Sequence, residues 1–99
     1  MEREDYVIKL KKPFQFEGEE HKEIDLNGLE NLTGSQLLAA EKRYNASGAV
    51  SIMPEMTTGY AFIIAGMASG KPVEFFEAMP AKYALTVKNV VLNFLNASG

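Results

Sequence analysis

Leu29-Glu30-Asn31-Leu32-Thr33-Gly34-Ser35-Gln36-Leu37-Leu38-Ala39-Ala40-Glu41-Lys42-Arg43-Tyr44 is where the chain changes character. The stretch opens with a helix-start signature. Thr33 followed three residues later by Gln36 is a capping box: the Thr33 hydroxyl accepts from the Gln36 amide, and the Gln36 side chain accepts from the Thr33 amide. Leu32 before the cap and Leu37 four positions after it form a hydrophobic staple, which sets the angle at which the chain enters the helix. Upstream the sequence reads as strands, downstream as helices. The expected fold is therefore α+β, with an N-terminal antiparallel hairpin of two or three strands followed by three or four helices.

Upstream, Tyr6-Val7-Ile8-Lys9-Leu10 is rich in β-formers with partial alternation. Pro13 bars this segment from a central strand, since it has no N–H to donate to a ladder. Phe14-Gln15-Phe16 alternates again, and Glu17-Gly18-Glu19-Glu20 reads as a turn with Gly18 free to take positive φ. Ile24 and Leu26 share a face before Asn27-Gly28 closes a second turn. Residues 6–27 form the hairpin region. Two strands alone are marginal in water, so this sheet must pack on the helices.

Downstream, the first helix is expected over 33–45, with Leu37, Ala40, Glu41 and Tyr44 on one face, Leu38 beside them, and Asn45 as a left-handed cap. Residues 46–55 read as a loop. A second helix over 57–69 ends at Gly70. Its Tyr60, Ala61, Phe62, Ile63, Ile64, Ala65, Met67 and Ala68 leave no polar face, so it should be buried on all sides, with another subunit or a partner as one candidate to cover a side in so small a domain. Pro72 is placed to open a short third helix over 72–79. Pro80 opens the fourth, over 80–96, whose apolar Tyr83, Val87, Val90, Val91, Phe94 and Leu95 recur at helical spacing.

The whole chain of 99 residues reads as one domain. It has 46% hydrophobic and 23% charged residues, which is ordinary for a folded protein and not for a disordered one. There are no cysteines, which removes disulfides, thiolate metal sites and cysteine nucleophiles. Met1-Glu2-Arg3-Glu4-Asp5 is acidic and no apolar leader follows it, so no secretory signal is expected. The longest apolar run, Tyr60 to Ala68, is too short to span a bilayer. A net charge of −3 with no basic stripe argues against a nucleic-acid partner.

Motifs that could carry chemistry are weak. Gly66-Met67-Ala68-Ser69-Gly70-Lys71-Pro72 has three residues between its glycines where a phosphate loop needs four, and Pro72 stands where a hydroxyl should hold magnesium. His21 is the sole histidine and reads as a solvated turn residue. Glu17, Glu19, Glu20 and Glu23 lack the spacing of a calcium loop, and read as a charged rim that discourages edge pairing. Asn31, Asn45 and Asn96 begin accidental glycosylation sequons. No serine or threonine has a histidine–acid pair to activate it, so no enzyme, cofactor or metal is expected. What remains is the aromatic and methionine content of the C-terminal half, including Met53, Met56 and Met79, which suits an adaptable binding surface. Tyr60, Ile63, Met67, Phe75, Val87, Val91 and Phe94 are its expected partner-binding residues.

A family resemblance runs through the same features. It rests on Leu10 to Pro13, on Phe16 with Gly18, on Ile24-Asp25-Leu26, and most strongly on Leu29 to Leu37 with Ala40-Glu41. Tyr60-x-x-x-Ile64-Ala65, Gly70-x-Pro72 and Val91-x-x-Phe94-Leu95 extend it over nearly the whole chain. In this order they resemble the small tail assembly chaperones of long-tailed bacteriophages, encoded in phages and prophages of Gram-positive bacteria. Members often carry an aspartate where Ser35-Gln36 stands here, a departure that touches helix capping. The resemblance implies a non-catalytic protein that binds and solubilises the tape measure protein in the cytoplasm of the bacterial host during tail morphogenesis, and is absent from the mature virion. It also implies a homo-oligomer and, where a ribosomal frameshift makes a longer form, contact with the tail tube protein. Two other classes compete with it: a minor structural protein of the virion, such as a head–tail joining component, and a small regulatory protein-binding module.

Overall fold

The computed structural model describes residues 6–48 and 57–97. In chain order it has β1 (Val7–Phe16), β2 (Glu19–Asp25), a 3-10 turn (Asn27–Asn31), α1 (Gly34–Ala46), α2 (Thr58–Ser69), α3 (Val73–Glu77) and α4 (Ala81–Ala97). This is an α+β fold, an N-terminal two-stranded antiparallel hairpin followed by helices.

The hairpin turns on Glu17 (φ 50°) and Gly18 (φ 82°). Two successive positive φ values match the right-handed twist of the flanking strands, so the turn brings Phe16 opposite Glu19 without splaying them. The ladder has a break. Lys9 pairs with Glu23 and Phe14 with His21, so four residues of β1, Leu10 to Pro13, face the single Lys22 of β2. Pro13 lies in this bulge, where a missing N–H costs no ladder bond. Asn27 and Gly28, expected to close a simple turn, instead begin the 3-10 turn. The Asn27 N–H donates to Asp25 Oδ1 (2.9 Å) at its start, and the turn buries Leu29 completely.

At the start of α1 the reciprocal cap is formed. Thr33 Oγ1 accepts from the Gln36 N–H (3.3 Å), and Gln36 Oε1 accepts from the Thr33 N–H (2.9 Å). Leu32 and Leu37 are half-buried against the core. Ala40 and Tyr44 are the buried residues of this helix, while Leu38 points to solvent. The helix runs past Asn45, which is therefore not its left-handed residue. Ser47 caps it through its N–H, and the positive φ falls on Gly48 (87°). A glycine adopts that conformation without the Cβ penalty asparagine carries. The rest of the expected 46–55 loop, from 49 onward, lies outside the described residues.

The organising element is α2. Thr57 Oγ1 accepts from the Tyr60 N–H (3.2 Å) at its start, and Gly70, at φ 74°, donates to the Gly66 carbonyl (2.9 Å) at its end. Every residue from Tyr60 to Gly66 is buried. Packing by α1, α3, α4 and the 3-10 turn covers this stretch within one chain. Two glycines allow the close approach. A Cβ on Gly66 would lie 2.8 Å from the Lys71 carbonyl oxygen, and one on Gly28 would overlap the Ala68 carbonyl oxygen.

The third helix is shorter than the expected 72–79. Pro72 sits just before it in extended conformation (ψ 158°), and five residues follow. It carries Phe75, the aromatic hub of the molecule. Its ring meets Phe14 (5.4 Å between centroids), Phe16 (5.3 Å), His21 (4.8 Å) and Phe76 (5.2 Å), all edge to face. This cluster fastens the tip of the hairpin to the helices. It also corrects the reading of His21, which is half-buried against an aromatic ring and not simply solvated. Along α4, Val87 and Val91 are fully buried. The helix holds the first strand at two points: Tyr6, just before β1, packs on Phe94 (6.0 Å), and in the middle of β1 the Lys12 N–H donates to the Tyr83 hydroxyl (2.9 Å).

Candidate protein-binding surface

The expected partner-binding residues separate into two groups. Tyr60, Ile63, Phe75, Val87 and Val91 are at most 7% exposed and belong to the chain's own core. A side chain so enclosed offers a partner little area in this conformation, and its burial already contributes to folding. Met67 and Phe94 are half-buried and pack against the edge of that core. Helical spacing places all seven on inward faces, but spacing does not say what covers a face. Here the covering elements are the chain's own hairpin and helices.

Among the described residues, the exposed apolar surface lies elsewhere. Leu38 on α1 and Leu85 on α4 are 60% and 54% exposed. A groove of about 490 Å³ runs between the second half of β1 and the start of α4, lined by Lys11, Lys12, Pro13, Phe14, Gln15, Pro80, Lys82 and Tyr83. Its construction follows from local structure. The bulge in β1 carries Lys11, Lys12 and Pro13 out of register with β2, and the Lys12–Tyr83 hydrogen bond holds the start of α4 against that stretch. Phe14 and Tyr83 are half-buried and give the groove apolar walls, while the three lysines are exposed at its rim.

The rim has one sign of charge. Among the described residues that line it, three are lysines and none is acidic, in a chain whose net charge is −3. Charge is segregated along the hairpin in the same sense. β1 carries Lys9, Lys11 and Lys12 with no carboxylate, and β2 carries Glu19, Glu20, Glu23 and Asp25 beside Lys22. The strand segregation is visible in the sequence. Lys82 and Tyr83 are not, because they reach the groove from 71 residues away.

The remaining motifs find structural roles. Gly70 ends α2, and Lys71 lies over the Phe75 ring with its Nζ 5.6 Å from the centroid, a cation–π contact. Among the described residues no three His, Asp or Glu side chains converge where a metal could be held. No helix of the described residues is long and apolar enough to cross a membrane.

Compared with protein-family models, with curated proteins and with solved structures, the chain matches none.

Proposed function

We propose that this chain is a non-catalytic tail assembly chaperone, which binds the tape measure protein of a long-tailed phage and keeps it soluble until the tail tube polymerises around it. The resemblance described above motivates the reading. The structural observation that supports it best is the apolar-walled groove between β1 and α4, a preformed surface concavity with a charged rim. A client that is helical, apolar and aggregation-prone offers side chains to such a site, and many copies along one long client gain avidity. Leu38 and Leu85 provide further apolar contact points for copies bound side by side. In this reading the chain acts in the host cytoplasm, does not bind nucleic acid, and leaves before the virion is complete. A longer frameshifted form would add contact with the tail tube protein.

The test is co-expression with the tape measure protein encoded alongside it. The client should move from the insoluble to the soluble fraction only when the chain is present. A client that stays insoluble with both the short and a C-terminally extended form would refute the reading. Detection of the chain in purified particles at fixed stoichiometry would point instead to a structural component of the virion.

A further inference from the structure

We propose that the groove between β1 and the start of α4 docks a short acidic segment of the partner protein. Its carboxylates would meet Lys11, Lys12 and Lys82, and one aliphatic or aromatic side chain would lie between Phe14, Tyr83, Pro13 and Pro80. The inference rests on the protein-binding reading above and adds to it the chemistry of the bound segment.

Charge complementarity is the main reason. A groove with three lysines and no carboxylate among the described residues of its lining is a local exception in an acidic protein. The first turn of α4 contains Lys82 and no acidic residue to offset it. Anionic groups are therefore favoured in the groove. The apolar walls add a requirement that free anions do not meet, since Phe14, Tyr83, Pro13 and Pro80 are matched only by an apolar side chain.

The dimensions restrict the occupant further. A volume of about 490 Å³ takes a ligand of a few residues and not a whole helix face. Nor does the occupant add as a strand at Lys12, because the Lys12 N–H is already donated to Tyr83. Recognition is by side chains. A nucleic-acid strand is the poorer fit. Extended phosphates running beyond the groove along the hairpin would meet Glu17 and Glu19 at its tip and Glu20, which pairs with Gln15.

The experiment uses the full chain and a fluorescent hexapeptide alternating glutamate with leucine and phenylalanine, read by anisotropy. Its counterpart with lysine in place of glutamate is the control. The acidic peptide should bind and the lysine peptide should not. A triple variant, Lys11→Glu, Lys12→Glu and Lys82→Glu, should weaken acidic-peptide binding by at least about tenfold, and higher salt should weaken wild-type binding in the same direction. All three side chains are exposed, and the bond to Tyr83 uses the Lys12 backbone, so the variant should keep the wild-type circular dichroism and melting temperature. Four results would overturn the proposal: no binding of the acidic peptide, equal binding by the triple variant, equally tight binding of a single-stranded oligonucleotide of matched charge, or self-association of the wild type that the triple variant abolishes. The last would assign the groove to a second copy.

The co-expression assay separates this inference from the function it rests on. If the client is solubilised equally by wild type and triple variant, the chaperone reading stands and acidic docking fails. If the peptide binds as expected but the client stays insoluble, acidic docking stands and the chaperone reading fails.

Discussion

Replacing Gly28 by alanine should be among the most disruptive single-methyl changes available in this protein. Gly28 lies in the 3-10 turn that joins the hairpin to α1, against the C-terminal end of α2. A Cβ placed there overlaps the Ala68 carbonyl oxygen and comes within 2.9 Å of the carbonyl carbon and 3.2 Å of the Ala68 Cα. Favourable carbon–carbon contacts lie at about 3.5–4.0 Å, so the turn must retreat from α2 by something on the order of 1 Å. No flexible side chain can yield, because the opposing atoms are backbone. The retreat would also loosen Leu26, just before the turn, and Leu29 within it, both fully buried. The cost should therefore reach the upper part of the overpacking range, about 3 kcal/mol. For a domain of this size that corresponds to a fall in melting temperature of roughly 12–24 °C. Gly34→Ala is the internal control: a Cβ there would have no atom within 4 Å, and the residue's φ is not positive. The same chemical change there should be neutral or stabilise by up to about 1 kcal/mol, through the smaller entropy of the unfolded chain. Urea titrations followed by far-UV circular dichroism would measure both. A Gly28→Ala protein within about 0.5 kcal/mol of wild type, the ordinary scatter of surface substitutions, would refute the packing of the 3-10 turn on α2.

Three further changes probe the cap, the turn and the aromatic cluster that hold the fold. Phe75→Ala removes the ring that joins Phe14, Phe16 and His21 to α3, and should destabilise by about 3–5 kcal/mol in the same titration. Thr33→Ala deletes the acceptor for the Gln36 N–H and should cost about 1 kcal/mol, with Thr33→Ser largely restoring it. Glu17→Asn places a residue tolerant of left-handed backbone where glutamate now has φ 50°, and should raise stability by about 0.5–1 kcal/mol in thermal melts.

The sequence carried the elements more clearly than the surface. Thr33 and Gln36 are three residues apart, so their mutual hydrogen bonds depend only on local backbone geometry, and the helix start could be read directly. The apolar run from Tyr60 to Gly66 likewise announced a helix enclosed on every side. What it could not announce was the identity of the enclosing groups. Ile63, Val87 and Val91 have the spacing of a contact stripe, and a stripe looks the same whether a partner or the chain's own helices cover it. The hairpin's bulge was hidden for a related reason. Pro13 signals an irregular strand, but strand periodicity does not encode the three-residue shift in pairing between Lys9 and Phe14, beyond which the paired Phe14 and His21 both meet the Phe75 ring. The groove is least legible of all. Its lysines come from β1 and from α4, and only the packing of Tyr83 against Lys12 brings Lys82 to the same rim.

The central claim, that the chain works by coating a long client, is tested most directly by the mass of the complex. The tape measure protein would be tagged, co-expressed with the chain, purified through its own tag and measured by light scattering at low salt. A soluble particle containing several copies of the chain for each client is the expected result. A client recovered without the chain, in both the short and the C-terminally extended form, would contradict it.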